Sequence, residues 1–263
     1  RSNLVTQCQY RNACFQAAGA AQKVTRHGFG GAHRKLIRMI AEGAGILDIG
    51  AESTRPYGSQ PVSADEELQR LRDILPAVTT LGIPVSIDTM KATVAAWALT
   101  NGAAVANDIW GLQRDPDMAR VVADHHAPVI IMHNRDTVDP AIDIVADMKT
   151  FFSRSLDIAA KAGIPQGHIV LDPGIGFGKT PEQSMTALAR LDALDQFGLP
   201  LLVGASRKRF IASVTPSEPD QRLGGSLAAH LLAAQRGAKI IRAHDVAETV
   251  QSLRVASAIE DKR

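Results

Sequence analysis

Apolar residues in this chain come in short continuous runs, and each run stops in polar or ionisable side chains. Ile46-Leu47-Asp48-Ile49-Gly50, Val85-Ser86-Ile87-Asp88, Ala106-Asn107-Asp108, Ile131-Met132-His133, Val170-Leu171-Asp172, Val203-Gly204-Ala205-Ser206 and Ile240-Ile241-Arg242-Ala243-His244-Asp245 all follow this grammar. Such runs suit strands buried on both faces, as parallel sheets require. They predict strands over 45–51, 83–88, 103–109, 127–133, 168–173, 200–206 and 238–244. Between them the apolar period lengthens to that of a helix. Leu68, Leu71, Leu75 and Val78 share one helical face, opened by the cap candidate Ser63 and the acids Asp65, Glu66 and Glu67. Further helical patterns cover 32–42, 91–101, 115–125, 143–163, 181–197, 222–236 and 246–260. Gly82-Ile83-Pro84 and Gly198-Leu199-Pro200 each read as a helix stop ahead of a strand.

Seven strands alternating with helices predict a parallel α/β fold. With 263 residues, no second block of composition and no glycine fingerprint for a dinucleotide, the expectation is a (β/α)8 TIM barrel rather than an open sheet. One strand is missing from the count. It belongs before the helix at 32–42, and the candidate is 3–10, Asn-Leu-Val-Thr-Gln-Cys-Gln-Tyr. The chain reads as one domain over 1–263, with 1–31 atypical: no Asp or Glu occurs before Glu42. An acid-free start with arginines is similar to a transit peptide, but this stretch occupies space that the barrel needs.

Composition removes several classes of function. An apolar share of 45% and a charged share of 21% are those of an ordinary globular protein. A net charge of +2 gives no ground for a nucleic-acid partner, and no apolar stretch approaches the ~20 residues of a membrane span. Two cysteines, Cys8 and Cys14, provide no disulfide framework, which fits a reducing cytoplasm.

The chemistry collects at strand ends. A lone Asp there is usually a cap or turn residue. Asp88, Asn107 and Asp172 end three strands, and on one face of a barrel they offer acceptors and an amide to a flat ligand. The loop Asp172-Pro173-Gly174-Ile175-Gly176-Phe177-Gly178-Lys179-Thr180 is not a P-loop, because Pro173 stands where that motif needs glycine. It remains either a ligand loop or a glycine-rich turn. Ser53, Thr54 and Arg55 can grip an anion, or form a plain turn before Pro56. Ser206-Arg207-Lys208-Arg209 and Arg242-Ala243-His244 place cations where barrels often bind phosphate; the alternative is a solvated charge cluster. His133 is equally open to a structural role and to that of a base. No spacing suggests a zinc cage.

Together these motifs resemble the dihydropteroate synthase family of pterin-binding enzymes. The resemblance rests on residues 47–56, 86–89, 107–109, 171–179, 206–208 and 242–244, in the family's order, and runs from about Ala32 to the C-terminus. It implies a barrel enzyme of folate biosynthesis, cytoplasmic and homodimeric. Its substrates would be 4-aminobenzoate and dihydropterin hydroxymethyl diphosphate, joined with release of diphosphate and help from Mg²⁺. By resemblance, Asp88, Asn107, Ile109, Met132, Asp172 and Lys208 hold the pterin, with Asp88, Asp172 and Lys208 catalytic. Arg55, Asn107, Arg242 and His244 hold the diphosphate. Thr54, Pro56, Phe177 and Ser206 border the aminobenzoate. It identifies no metal ligand. The family's string Asn-Val-Thr-Pro-Asp-Ser-Phe-x-Asp-Gly is missing, and Asn12-Ala13-Cys14-Phe15-Gln16-Ala17-Ala18-Gly19 stands in its space. That departure admits a pterin-binding protein without catalysis. A methyltetrahydrofolate methyltransferase shares the barrel, but it has no diphosphate for the cations to hold.

Overall fold

The computed structural model describes residues 14–20, 29–52 and 62–262. Eight parallel strands close into a barrel in chain order. They are β1 (Cys14–Ala20), β2 (Ile46–Gly50), β3 (Val85–Asp88), β4 (Val105–Asp108), β5 (Val129–Met132), β6 (Ile169–Asp172), β7 (Leu201–Val203) and β8 (Ala238–Ala243). The seven strands predicted from the pattern are all present. The first strand is corrected: Cys14–Ala20 fills its place, pairing with β2 on one side and β8 on the other. Residues 3–10 lie outside the described residues. The sequence of β1, Cys-Phe-Gln-Ala-Ala-Gly-Ala, contains no β-branched residue. Its strand state therefore owes more to two neighbouring edges that need a partner than to its own propensity.

The helices are α1 (Phe29–Ala41), α2 (Ala64–Arg72), α3 (Leu75–Thr79), α4 (Ala92–Thr100), α5 (Met118–Asp124), α6 (Ile144–Lys161), α7 (Pro181–Ala189), α8 (Arg209–Val214), α9 (Leu223–Gln235) and α10 (Val246–Glu260). Ser63 caps α2, its hydroxyl accepting from the Glu66 N–H at 3.2 Å. The expected continuous helix over 63–78 is divided, because Pro76 lies in the first turn of α3 and cannot donate to the turn before it. The pattern over 181–197 also splits: Leu191–Phe197 winds as a 3₁₀ helix that ends at left-handed Gly198. The six-residue α8 was hidden in the basic run after Ser206.

Alternation along the strands decides which side chains meet. Leu47, Ile87, Ile131, Leu171 and Ile241 point outward into the core beneath the helices. Val105, Ile130, Val170 and Leu202 form a small apolar cluster inside the barrel. The same period of two then turns Asp48, Ser86, Asp88, Asn107, Asp172 and Arg242 inward. Register sets them side by side, with Asp48 opposite Ser86, Asp88 opposite Asn107, and Met132 opposite Asp172.

Candidate active site

A buried polar network occupies the interior above the apolar cluster. Asp48 is its hub. Its Oδ1 accepts from the Ser86 hydroxyl and from Asn107 Nδ2 at 3.2 Å, and its Oδ2 accepts from Arg242 Nε at 2.8 Å. Arg242 Nη2 reaches on to Asp88 Oδ2 at 3.4 Å. The other oxygen of Asp88 is buried and has no partner among the described residues. Burial pushes the Asp88 carboxyl up to about 7; the Asp48 charge adds to this and Arg242 opposes it. Asp172 is raised as well, by burial, against the Gly174 N–H bond at 2.8 Å and the charge of Arg242. Two interior carboxyls therefore stand ready to accept hydrogen bonds around one guanidinium.

The loop after β6 is pinned to the end of β5. Lys179 is 6% exposed, and its Nζ donates to His133 Nδ1 at 2.6 Å and to the carbonyls of Gly174 at 3.0 Å and Phe177 at 3.2 Å. Asp147, an ionised carboxylate, can only accept, so His133 carries its proton on Nε2, which donates to Asp147 at 3.0 Å, and leaves Nδ1 to accept from Lys179. Burial lowers Lys179 to about 7 and His133 to about 4. His133 is thus a neutral structural residue, which settles the choice left open by the sequence.

Phe177 leads from this loop to the last strands. Lys208 Nζ stands 4.2 Å from the centre of its ring, and Ile109, Met132 and Phe177 form one apolar patch. His244 Nδ1 lies 3.0 Å from Ser206 Oγ. Burial and then the nearby cations, Arg242 first, lower His244 to about 4. The sequence suggested a cation at this position; the structure makes it a neutral imidazole at pH 7, because it is buried and three cations stand nearby.

Asp88, Asn107, Asp172, Lys208 and Arg242 therefore converge at the carboxyl ends of the strands, with Ile109, Met132, Phe177, Ser206 and His244 beside them. Thr54, Arg55 and Pro56 lie outside the described residues. The two ends of their segment are tied together by the Val62 N–H, which donates to Glu52 Oε1 at 3.2 Å. Lys91 holds that same glutamate and, at 2.8 Å, buried Glu67. Sequence reasoning passed over Asp48 and Lys179. Asp48 had a legible signal: an acid in the middle of a continuous apolar strand must face the barrel interior and find partners there.

Fold and site define a barrel enzyme that takes a flat, hydrogen-bonding ligand carrying an anionic group. A family model described as pterin binding enzyme matches residues 25–244. The dihydropteroate synthase of Bacillus subtilis strain 168 is 42% identical over 225 residues, covering 85% of this chain and 78% of its own length. The Escherichia coli K12 dihydropteroate synthase is 40% identical over 252 residues, covering 89% of each chain. A solved Clostridium difficile dihydropteroate synthase, crystallised in the presence of pteroic acid, superposes with a TM-score of 0.90 at 39% identity, covering 95% of this chain and 97% of that one. The Xanthomonas albilineans dihydropteroate synthase solved with 4-aminobenzoic acid gives 0.89 at 37% identity, covering 95% and 94%. The chain belongs to the pterin binding enzyme family.

Proposed function

We infer that the protein is a dihydropteroate synthase-type transferase of folate biosynthesis. It condenses 4-aminobenzoate with (7,8-dihydropterin-6-yl)methyl diphosphate to 7,8-dihydropteroate and diphosphate. The observation that carries this reading is the buried, unpartnered Asp88 oxygen beside Asn107, Asp172 and Arg242, in a chain so similar to enzymes of that name.

The geometry of the described residues, with the family resemblance for Thr54, Arg55 and Pro56, supports a division of labour. Asp88, Asn107 and Asp172 meet the donors of the pterin ring, and Met132 and Ile109 supply an apolar wall. Arg242, with Arg55 and His244, holds the diphosphate. The carbon–oxygen bond to diphosphate breaks and its electron pair leaves with the phosphate, so the methylene carbon becomes electron-poor. Arg242 stabilises the departing charge, and the carboxylates of Asp88 and Asp172 stabilise positive charge spreading into the ring. Lys208 borders the pterin from the Phe177 side. The aminobenzoate nitrogen, placed by Thr54, Pro56, Phe177 and Ser206, forms the new bond to carbon and releases a proton.

No three His, Cys, Asp or Glu side chains converge among the described residues. The chain's own residues there do not build a magnesium cage, and Mg²⁺ would come with the diphosphate and neutralise part of its charge with few ligands from the protein. A homodimer is supported by an apolar groove of 370 Å³ among α7, α8 and α9, lined by Leu188, Phe210, Val214 and Leu232. Val214 and Leu232 are 68% and 47% exposed there. A cytoplasmic location rests on the two cysteines, together with the lack of a membrane-length apolar helix among the described residues.

A second reading, pterin binding without turnover, draws on the unusual sequence of β1. Diphosphate release measured with both substrates, with and without Mg²⁺, decides between the two. Release that needs both substrates supports the transferase. Tight pterin binding without release supports the second reading.

A further inference from the structure

We propose that Asp48 is a positioning residue, which anchors Arg242 for the diphosphate-bearing substrate and keeps that guanidinium from closing onto Asp88. The inference rests on the transferase reading above. Asp48 sits below the ligand-facing layer, its side chain 0% exposed, so it acts through its neighbours rather than on substrate.

The geometry is that of one cation between two carboxylates. Arg242 gives its Nε to Asp48 at 2.8 Å and only a long Nη2 contact, 3.4 Å, to Asp88. Side-on attachment through Nε fixes the plane of the guanidinium and leaves Nη2 turned toward Asp88. Asp48 is itself fixed by Ser86 and Asn107. A buried charge that loses its partner seeks the nearest opposite charge. For Arg242 that charge is Asp88. Collapse onto Asp88 would cover the acceptor that the pterin needs and withdraw the cation from the diphosphate.

This arrangement makes a test that a purely structural role would fail. Asp48→Asn preserves shape, and its amide oxygen still accepts from Ser86 or Asn107. It removes the charge that holds Arg242. Affinity for both the pterin methyl diphosphate and the diphosphate-free 6-hydroxymethyl dihydropterin should fall by about tenfold or more in calorimetry. Adding Arg242→Gln removes the collapsed cation, and taking out both members of a buried pair is tolerated better than taking out one. The double variant should recover affinity for the diphosphate-free pterin to within about threefold of Arg242→Gln alone, while the diphosphate ester stays weak.

A double variant that binds the diphosphate-free pterin about tenfold or more worse than Arg242→Gln would overturn the proposal, since the two losses would then add. That comparison stands even if Asp48→Asn does not fold by itself. Wild-type protein that binds neither ligand would instead bring down the transferase reading, and this inference with it.

Discussion

The amine of Lys179 donates to Nδ1 of His133 across 2.6 Å, and this one bond joins the loop after β6 to the end of β5. The loop carries Asp172 at one end and Phe177 in its middle, so the placement of two proposed substrate contacts depends on a lysine outside the proposed contact set. Burial holds Lys179 down at about 7. In the unfolded chain it titrates near the ordinary lysine value of roughly 10.4. Between those values the unfolded chain binds the extra proton, so the contribution of this group is full above the unfolded value and is lost as pH falls toward 7. Lys179→Met should flatten the rise in stability between about pH 7 and pH 10. It should also weaken aminobenzoate more than pterin. Urea midpoints that rise with pH as steeply in the variant as in the wild type would reject this role.

Gly174 makes a second claim on the same loop. Its φ is +63°, and a Cβ there would stand 1.9 Å from the carbonyl oxygen of His133. That oxygen belongs to backbone and cannot move aside cheaply. Gly174→Ala should therefore destabilise by more than about 3 kcal/mol, through the clash and the left-handed strain together. Gly163 offers the control: its φ is +81° but nothing lies within 4 Å of the added carbon. Gly163→Ala should cost only the conformational part, about 1 kcal/mol. Equal losses in denaturant titration would show that the His133 contact does not shape the loop.

Asp88 should give pterin binding a visible pH dependence. Burial raises its carboxyl to about 7, with Asp48, Glu67 and Asp108 adding and Arg242 opposing. The ring donors of a pterin need the ionised form. Affinity should thus strengthen as pH rises through about 7 and level off above it. The ligand-free protein shows the opposite sign. This raised group favours folding fully below the unfolded carboxylate value, and that contribution is lost as pH rises through about 7. Calorimetry across the range checks the first statement, and a pterin affinity that does not change with pH would contradict it.

Most of the barrel was legible because parallel strands buried on both faces write themselves as apolar runs. The strand ends that carry Asp88, Asn107, Asp172 and Arg242 follow directly from those runs. What was not legible has physical reasons. β1 is made of small residues with one Phe and one Gln, so neither alternation nor β-branching marks it. The neutrality of His244 depends first on its burial and then on Arg242 beside it and on Arg207 and Lys208 from the loop after β7, and the burial appears only in the folded barrel. The role of Lys179 depends on carbonyls at Gly174 and Phe177 that only the folded loop turns inward. Asp48 was within reach, since an acid inside Leu47-Asp48-Ile49 has nowhere to go but the barrel interior.

The last prediction concerns the segment that carries β1. The proposed pterin contacts are Asp88, Asn107, Asp172 and Lys208, none of which lies near Cys14–Ala20 in sequence. The resembling family places Asn-Val-Thr-Pro-Asp-Ser-Phe-x-Asp-Gly here, a loop suited to covering the reacting carbon. Shielding an electron-poor centre from water acts on the chemical step and not on the resting grip on the ring. Binding and turnover should therefore separate. Grafting that string in register with the β1 pairings to β2 and β8 should raise product formation by about tenfold or more. Pterin affinity should stay within about threefold, because every pterin-facing residue is unchanged. Single-turnover product formation and calorimetric pterin binding, measured on the same two proteins, read the two effects apart. A graft that tightens pterin binding as much as it speeds turnover would mean that the segment belongs to the pocket itself, and that the barrel mouth extends further over β1 than Asp88, Asn107 and Asp172 indicate.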